Sequence, residues 1–272
     1  MKKPIYIRTT FLGTLCACLL AAGPARAQQD QQAYVVVPGG NQVAVEQIRV
    51  RPDGSLVVTI NGQPRDISRD QYVRAVGIRP GGIDQARALI AQQKGEEAKP
   101  VLTEIMNSSR YQSWDAMAGE MLANLHLNEG NPDQAKQILS TLRERYGSNL
   151  EGFFPAIELV DWKTKVATGE TAGLEQELDI IIKEDQNRIR KGNAQLVRGD
   201  IKVRRKDLQS AVLDYLRTAY FYSDFPELQA EALFKTAKTF AEIGDTARLR
   251  KYSALLKERY PDSEYASLEI GL

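Results

Sequence analysis

Five breakers recur through the last two-thirds of the chain at nearly constant spacing: Gly95, Gly130, Gly169, Asp207 and Gly244, separated by 35, 39, 38 and 37 residues. Each closes an apolar-periodic stretch and precedes another. A period of about 34 to 40 residues, with a breaker between two amphipathic halves, predicts a solenoid of helical hairpins. One hairpin cannot bury its apolar face alone, so the stack must share a continuous core. The expected fold is therefore mainly α, with about five helical hairpins.

The apolar stripes place the helices. Ile83 to Gln93 carries Ile83, Ala86 and Ile90, and Glu97 to Asn107 carries Ala98, Val101, Leu102 and Ile105. Trp114 to Asn128 is followed by a helix opened by Asn131-Pro132-Asp133. Pro155 to Ala167 and Ala172 to Asn187 make a third pair, with a longer connection. Asn193 to Arg205 with Leu208 to Tyr220, and Leu228 to Ile243 with Thr246 to Arg259, complete the set. Ser263 to Ile270 is expected as a short helix covering the open end of the core.

The amino-terminal third reads differently. Lys2, Lys3 and Arg8 precede a short apolar run from Thr9 to Ala22, and Ala25-Arg26-Ala27 fits a small-x-small cleavage site. The expectation is a signal peptide over residues 1–27, cut before Gln28, and a periplasmic or secreted product. Anchoring of a lipoprotein through Cys18 is the weaker alternative, because Cys16 stands where a lipobox wants a small residue. Cleavage removes four of the 36 basic residues and none of the 35 acidic ones, turning the formal charge from +1 to −3. That balance gives no support for binding nucleic acid or an anionic membrane surface, and no direct membrane span is expected. Both cysteines leave with the signal, so neither a disulfide nor a thiolate ligand or nucleophile is available.

Residues 28–33 are a polar, flexible lead. Residues 34–78 then carry β signals: Tyr34 to Val37, the Pro38-Gly39-Gly40-Asn41 turn, Val43 to Arg51, Asp53-Gly54, Leu56 to Ile60, Asn61-Gly62, and a short strand near Arg65 to Ile67. Ser68-Arg69-Asp70-Gln71 fits a capping box, predicting a helix that carries Tyr72, Val73 and Val76. The expectation is one antiparallel sheet of three or four strands with one helix. A unit of this size is marginal alone and should lean on the first hairpin, with Gly77 to Gly82 as the joint.

The fifth unit carries Leu233, Ala237, Phe240, Gly244-Asp245, Leu256 and Tyr260-Pro261, and the second is similar with Leu122-Ala123, Gly130-Asn131, Ala135, Leu139 and Leu142. On these residues, the stretch 79–272 resembles the tetratricopeptide repeat family. Leu142-Arg143-Glu144-Arg145-Tyr146 mirrors Leu256-Lys257-Glu258-Arg259-Tyr260. Unit four supplies Gly199, Ala211, Tyr215 and Phe225-Pro226, and unit three departs most, with Phe153-Phe154-Pro155 and Leu174. The ending is similar to repeats of bacterial envelope proteins that coordinate outer-membrane assembly or cell division. The resemblance implies a scaffold that binds another protein through its concave face, lined by the first helix of each repeat. Carried over residue by residue, it nominates Arg87, Glu120, Asn124, Asp200, Arg204, Lys238 and Glu242 as a mixed-charge groove suited to a polar peptide.

Other chemistry finds little to build on. His126 is the one histidine, so neither a catalytic triad nor a multi-histidine metal site can form, and it reads as a packing or groove residue. Asp84, Glu96 and Glu97 read as solvated helix faces rather than glycosidase acids, which leaves a carboxylate-dependent cell-wall hydrolase as the least favoured class. Lys202, Arg204, Arg205 and Lys206 close one helix, where positive charge complements the dipole. Asn107-Ser108-Ser109 matches a sequon but carries no weight beside a bacterial type of signal. No phosphate loop, cofactor or metal is expected. The remaining alternative is a structural subunit that self-associates through the β module, making a homo-oligomer.

Overall fold

A computed structural model describes residues 32–268 and residue 270. The expected signal peptide over residues 1–27 lies outside the described residues, as does the expected polar lead apart from its last two residues.

The β module is two sheets rather than one. β1 (Ala33–Val36) lies between β2 (Gln42–Val45) and β6 (Arg74–Val76), and β4 (Leu56–Ile60) lies between β3 (Gln47–Val50) and β5 (Gln63–Ile67), all antiparallel. β2 and β3 read as one strand in the sequence, but the chain leaves the first sheet at Glu46, whose amide donates to Thr59. Period-two alternation reports which side chains point inward and is blind to which neighbour a strand pairs with. The Asn61-Gly62 turn has both residues at positive φ, as the tight hairpin between β4 and β5 requires. Val35, Val45, Leu56, Val58, Tyr72 and Ala75 form the small shared core.

The expected helix at Ser68 is a correction. The capping-box bond forms, with Ser68 N donating to Gln71 Oε1 at 3.0 Å, but the turn is one 3-10 turn, Arg69–Gln71. Tyr72 is already extended, and the chain continues into β6. A cap satisfies the first amides of a helix, yet it cannot supply an apolar face to bury. Tyr72 instead points into the module and donates to Gly54 O at 2.6 Å.

The solenoid follows in five hairpins among the described residues: α1 (Gly82–Ala91) with α2 (Gly95–Ser108), α3 (Trp114–Asn128) with α4 (Pro132–Tyr146), α6 (Pro155–Thr168) with α7 (Leu174–Glu184), α8 (Arg188–Arg204) with α9 (Leu208–Phe221), and α10 (Pro226–Ile243) with α11 (Thr246–Arg259). A single turn, α5 (Leu150–Phe153), sits between units two and three, and α12 (Glu264–Ser267) packs on α10 and α11 at the end. The terminal helix is thus shorter than the Ser263 to Ile270 expected. α8 starts five residues earlier than the apolar stripe suggests, because Asn187 caps it by accepting from Arg190 N.

The true pivots of the repeat are left-handed residues: Gln93, Gly130, Gly169, Lys206 and Gly244, spaced by 37, 39, 37 and 38 residues. Gly95 and Asp207 therefore mark the following helix starts and not the turns themselves. Asp207 and Asp245 cap α9 and α11 by accepting from Ser210 N and Arg248 N. Small residues allow close helix pairing. A Cβ on Gly119 would sit 2.9 Å from Leu142 Cδ1, and Ala86, Ala123, Ala194 and Ala237 are fully buried.

The module is fastened to the first two hairpins by the loop between α2 and α3. Gly77 N donates to Gln112 O, Ser113 Oγ to Ala75 O at 2.7 Å, and Trp114 Nε1 to Gly77 O at 2.7 Å. Tyr111 and Ser113 hold positive φ there, a strained shape for residues with side chains that these bonds maintain. Gly77 to Gly82 is thus the joint, but it is a pinned one.

Candidate concave binding surface

The first helices of units two to five stack in the order α3, α6, α8, α10; Glu120, Asn124, Asp200, Arg204, Lys238 and Glu242 lie on three of them, and Arg87 lies on α1. They do not form one continuous groove.

Three of them meet at the amino-terminal end. Arg87, exposed on α1, brings Nη2 to 3.6 Å from Met117 Sδ of α3. Asn124 Nδ2 donates to Glu120 Oε1 at 2.6 Å on α3. Burial raises the Glu120 carboxyl above the usual range, opposed by the Asn124 hydrogen bond and by the charges of Arg87 and Lys163. Among the described residues Glu120 makes no ion pair, so this half-buried carboxylate faces two cations without contact.

Asp200 belongs to a second cluster and is not free. It accepts from Tyr215 Oη at 2.6 Å and from Lys235 Nζ at 2.7 Å, and its side chain is 20% exposed. Lys235 also approaches Glu231 at 3.4 Å, and Glu231 receives Lys163 Nζ at 3.0 Å. Burial works to raise the Glu231 carboxyl, but Lys235 and Lys163 outweigh it and bring it down to about 2.

The last three nominated residues lie towards the hairpin turns. Arg204 donates to Ala167 O at 3.1 Å, near the carboxyl end of α6, and lies against Gly169. Lys238 is exposed, and Glu242 pairs loosely with Lys206 at 3.9 Å. The basic run is distributed rather than concentrated: Lys202 pairs with the buried Asp214 at 2.6 Å, and Arg205 pairs with Glu175. Asp84, in the first turn of α1, pairs with Arg79 of the preceding loop, and Glu96 pairs with Lys99 at 2.7 Å; both carboxylates are exposed while their cations are largely covered.

Sequence reasoning missed Lys163, Glu231 and Lys235. Lys163 had a signal: Arg87, Asn124, Lys163, Asp200 and Lys238 recur at intervals of 37, 39, 37 and 38 residues, the same series as the left-handed pivots. The irregular third unit hid it. His126 is half-buried at the end of α3, and its Nδ1 has no hydrogen-bond partner among the described residues. No described group of three His, Asp or Glu residues is placed to hold a metal ion, and no described helix is long and apolar enough to cross a membrane.

No curated protein and no solved structure matches the chain. The tetratricopeptide repeat family does match it, over residues 118–149 and 231–263. These segments cover most of α3 with α4, and of α10 with α11, which are the two units whose residues carry the resemblance most fully. The chain therefore carries tetratricopeptide repeats, set within a solenoid of helical hairpins of the kind that serves as a protein-interaction scaffold.

Proposed function

We propose that this protein is an exported, non-catalytic scaffold that holds a polar segment of another cell-envelope protein on its concave face. The carrying observation is the row Arg87, Glu120, Asn124 and Lys163. These side chains come from three consecutive units and include a desolvated carboxylate that makes no ion pair among the described residues. A partner side chain that offers a cation to Glu120, flanked by a carboxylate for Arg87, completes the charges that the free protein leaves open. Export rests on the charged start, the apolar run and Ala25-Arg26-Ala27.

Capture of partners by tagged mature protein from envelope extract, then titration with the identified segment, tests the reading. Arg87→Ala with Glu120→Gln should weaken binding at least about tenfold, the equivalent of about 1.4 kcal/mol. Melting is the control for folding: Arg87 is exposed, where substitutions shift stability by about 0.5 kcal/mol or less, and Glu120→Gln keeps the shape of the half-buried side chain and an oxygen for Asn124. Unchanged affinity in that variant removes the site from this surface.

A second reading has its own observation. β2 is an edge strand of sequence Gln42-Val43-Ala44-Val45, uncharged, with Val43 exposed, whereas the β5 edge carries Pro64, Arg65 and Asp66. An unguarded edge invites pairing with a second copy. Val43→Lys would abolish a dimer built this way, and sedimentation at rising concentration reads it.

A further inference from the structure

Lys163 and Glu231 are 68 residues apart and belong to units three and five, yet they bond at 3.0 Å. α6 packs on α8 and α8 on α10, so this bond passes across the first helix of unit four. It does not act alone. Lys235 joins Glu231 to Asp200 of α8, and Tyr215 of α9 donates to the same Asp200. Leu196 on α8 is 1% exposed. A row of open repeats would leave the first helix of the middle unit accessible on its concave side. Here two cations and two carboxylates are arranged in alternation across it, with Lys163 as the most exposed member.

We propose that Lys163, Glu231, Lys235 and Asp200 form a clasp that holds units three to five at closed curvature, so that the concave face over unit four admits no peptide until the Lys163–Glu231 bond breaks. The clasp divides the face in two. The row at Arg87, Glu120 and Asn124 is accessible in the free protein, and the stretch over α8 is shut. Lys163 stands at the border, since it bonds to Glu231 and its charge also acts on Glu120. The link to partner binding rests on the docking role proposed above. The clasp itself is a property of the free protein and is tested without a partner.

The probe is Lys163→Met, which keeps the side-chain stem and removes the charge while Lys235 still neutralises Glu231. Hydrogen exchange and small-angle scattering are measured on the full mature chain. Amides of α8 should exchange at least about tenfold faster, the radius of gyration should rise, and α1 to α4 should keep their protection. Glu231→Gln should act in the same direction, and Lys163→Arg should restore wild-type exchange. Wild-type exchange at α8 with unchanged scattering in Lys163→Met overturns the clasp. Loss of protection spread evenly over every hairpin also overturns it, because the bond would then support the whole fold rather than close one face.

Discussion

The ring of Tyr215 occupies the space where a side chain on Gly199 would begin: a Cβ at Gly199 would lie 2.4 Å from Tyr215 Cε1. The missing side chain lets α9 close on α8, and it places the tyrosine hydroxyl 2.6 Å from Asp200. Gly199 thus controls both a helix contact and one corner of the charged cluster. Gly199→Ala should overpack the contact and cost about 1–3 kcal/mol. Thermal or denaturant melting reads the loss, and a wild-type midpoint would mean the ring can shift freely.

Ala237 is fully buried on α10 among Leu233, Phe240 and Leu249, with Phe240 stacked on Tyr252 at 5.6 Å between ring centres. Ala237→Leu should cost about 1–3 kcal/mol by the same mechanism. The effect should concentrate in units four and five, since the packing of each hairpin is mostly against its neighbours. Exchange protection by segment measures this, and an equal loss in α1 and α2 would contradict it.

Trp114 Nε1 is the donor that satisfies Gly77 O at the joint between the β module and the solenoid. Trp114→Phe keeps most of the ring and leaves that carbonyl unpaired, for about 1–3 kcal/mol. Residues 33–76 should become more susceptible to protease before the helices do. Simultaneous cleavage of both parts would show that module and solenoid open as one unit.

Glu231 supplies a pH dependence of known sign. Its carboxyl is held at about 2 in the folded chain, below the model-peptide value of 4.5, so its charged form favours folding. That contribution is complete above pH about 4.5 and is lost as pH falls towards 2. Glu120 and Asp115, both raised by burial, act in the opposite direction, and other carboxyls such as Asp214 are lowered by their cations, so a bulk melt would mix them. A carboxyl NMR titration resolves Glu231 itself. In Lys163→Met its midpoint should rise, and an unmoved midpoint would remove Lys163 as a cause.

The export reading is checked by the intact mass of the natural protein, which should begin at Gln28. A mature form that starts with a lipid-modified Cys18 would place it on a membrane.

Repetition made the helical two-thirds legible in the sequence. Trp114–Asn128 and Thr246–Arg259 have the bounds their apolar stripes predict, because caps, breakers and a buried stripe all act within one hairpin and agree. Strand positions in residues 34–67 were readable for the same reason, since alternation is local. Strand partners were not. The switch at Glu46 and the conversion of the Ser68 turn into the approach to β6 depend on what packs against them. The groove divides along the same line. Arg87 and Asn124 are one repeat apart, at 37 residues, and Glu120 lies one helical turn before Asn124, so sequence counting brings them together. Asp200 is taken out of the groove by Lys235 and Tyr215, and Lys163 is drawn to Glu231 across a whole intervening unit. The repeat sets which side chains face inward, but superhelical curvature sets which of them touch. Curvature sums small rotations at every helix contact, so only the tertiary structure decides it.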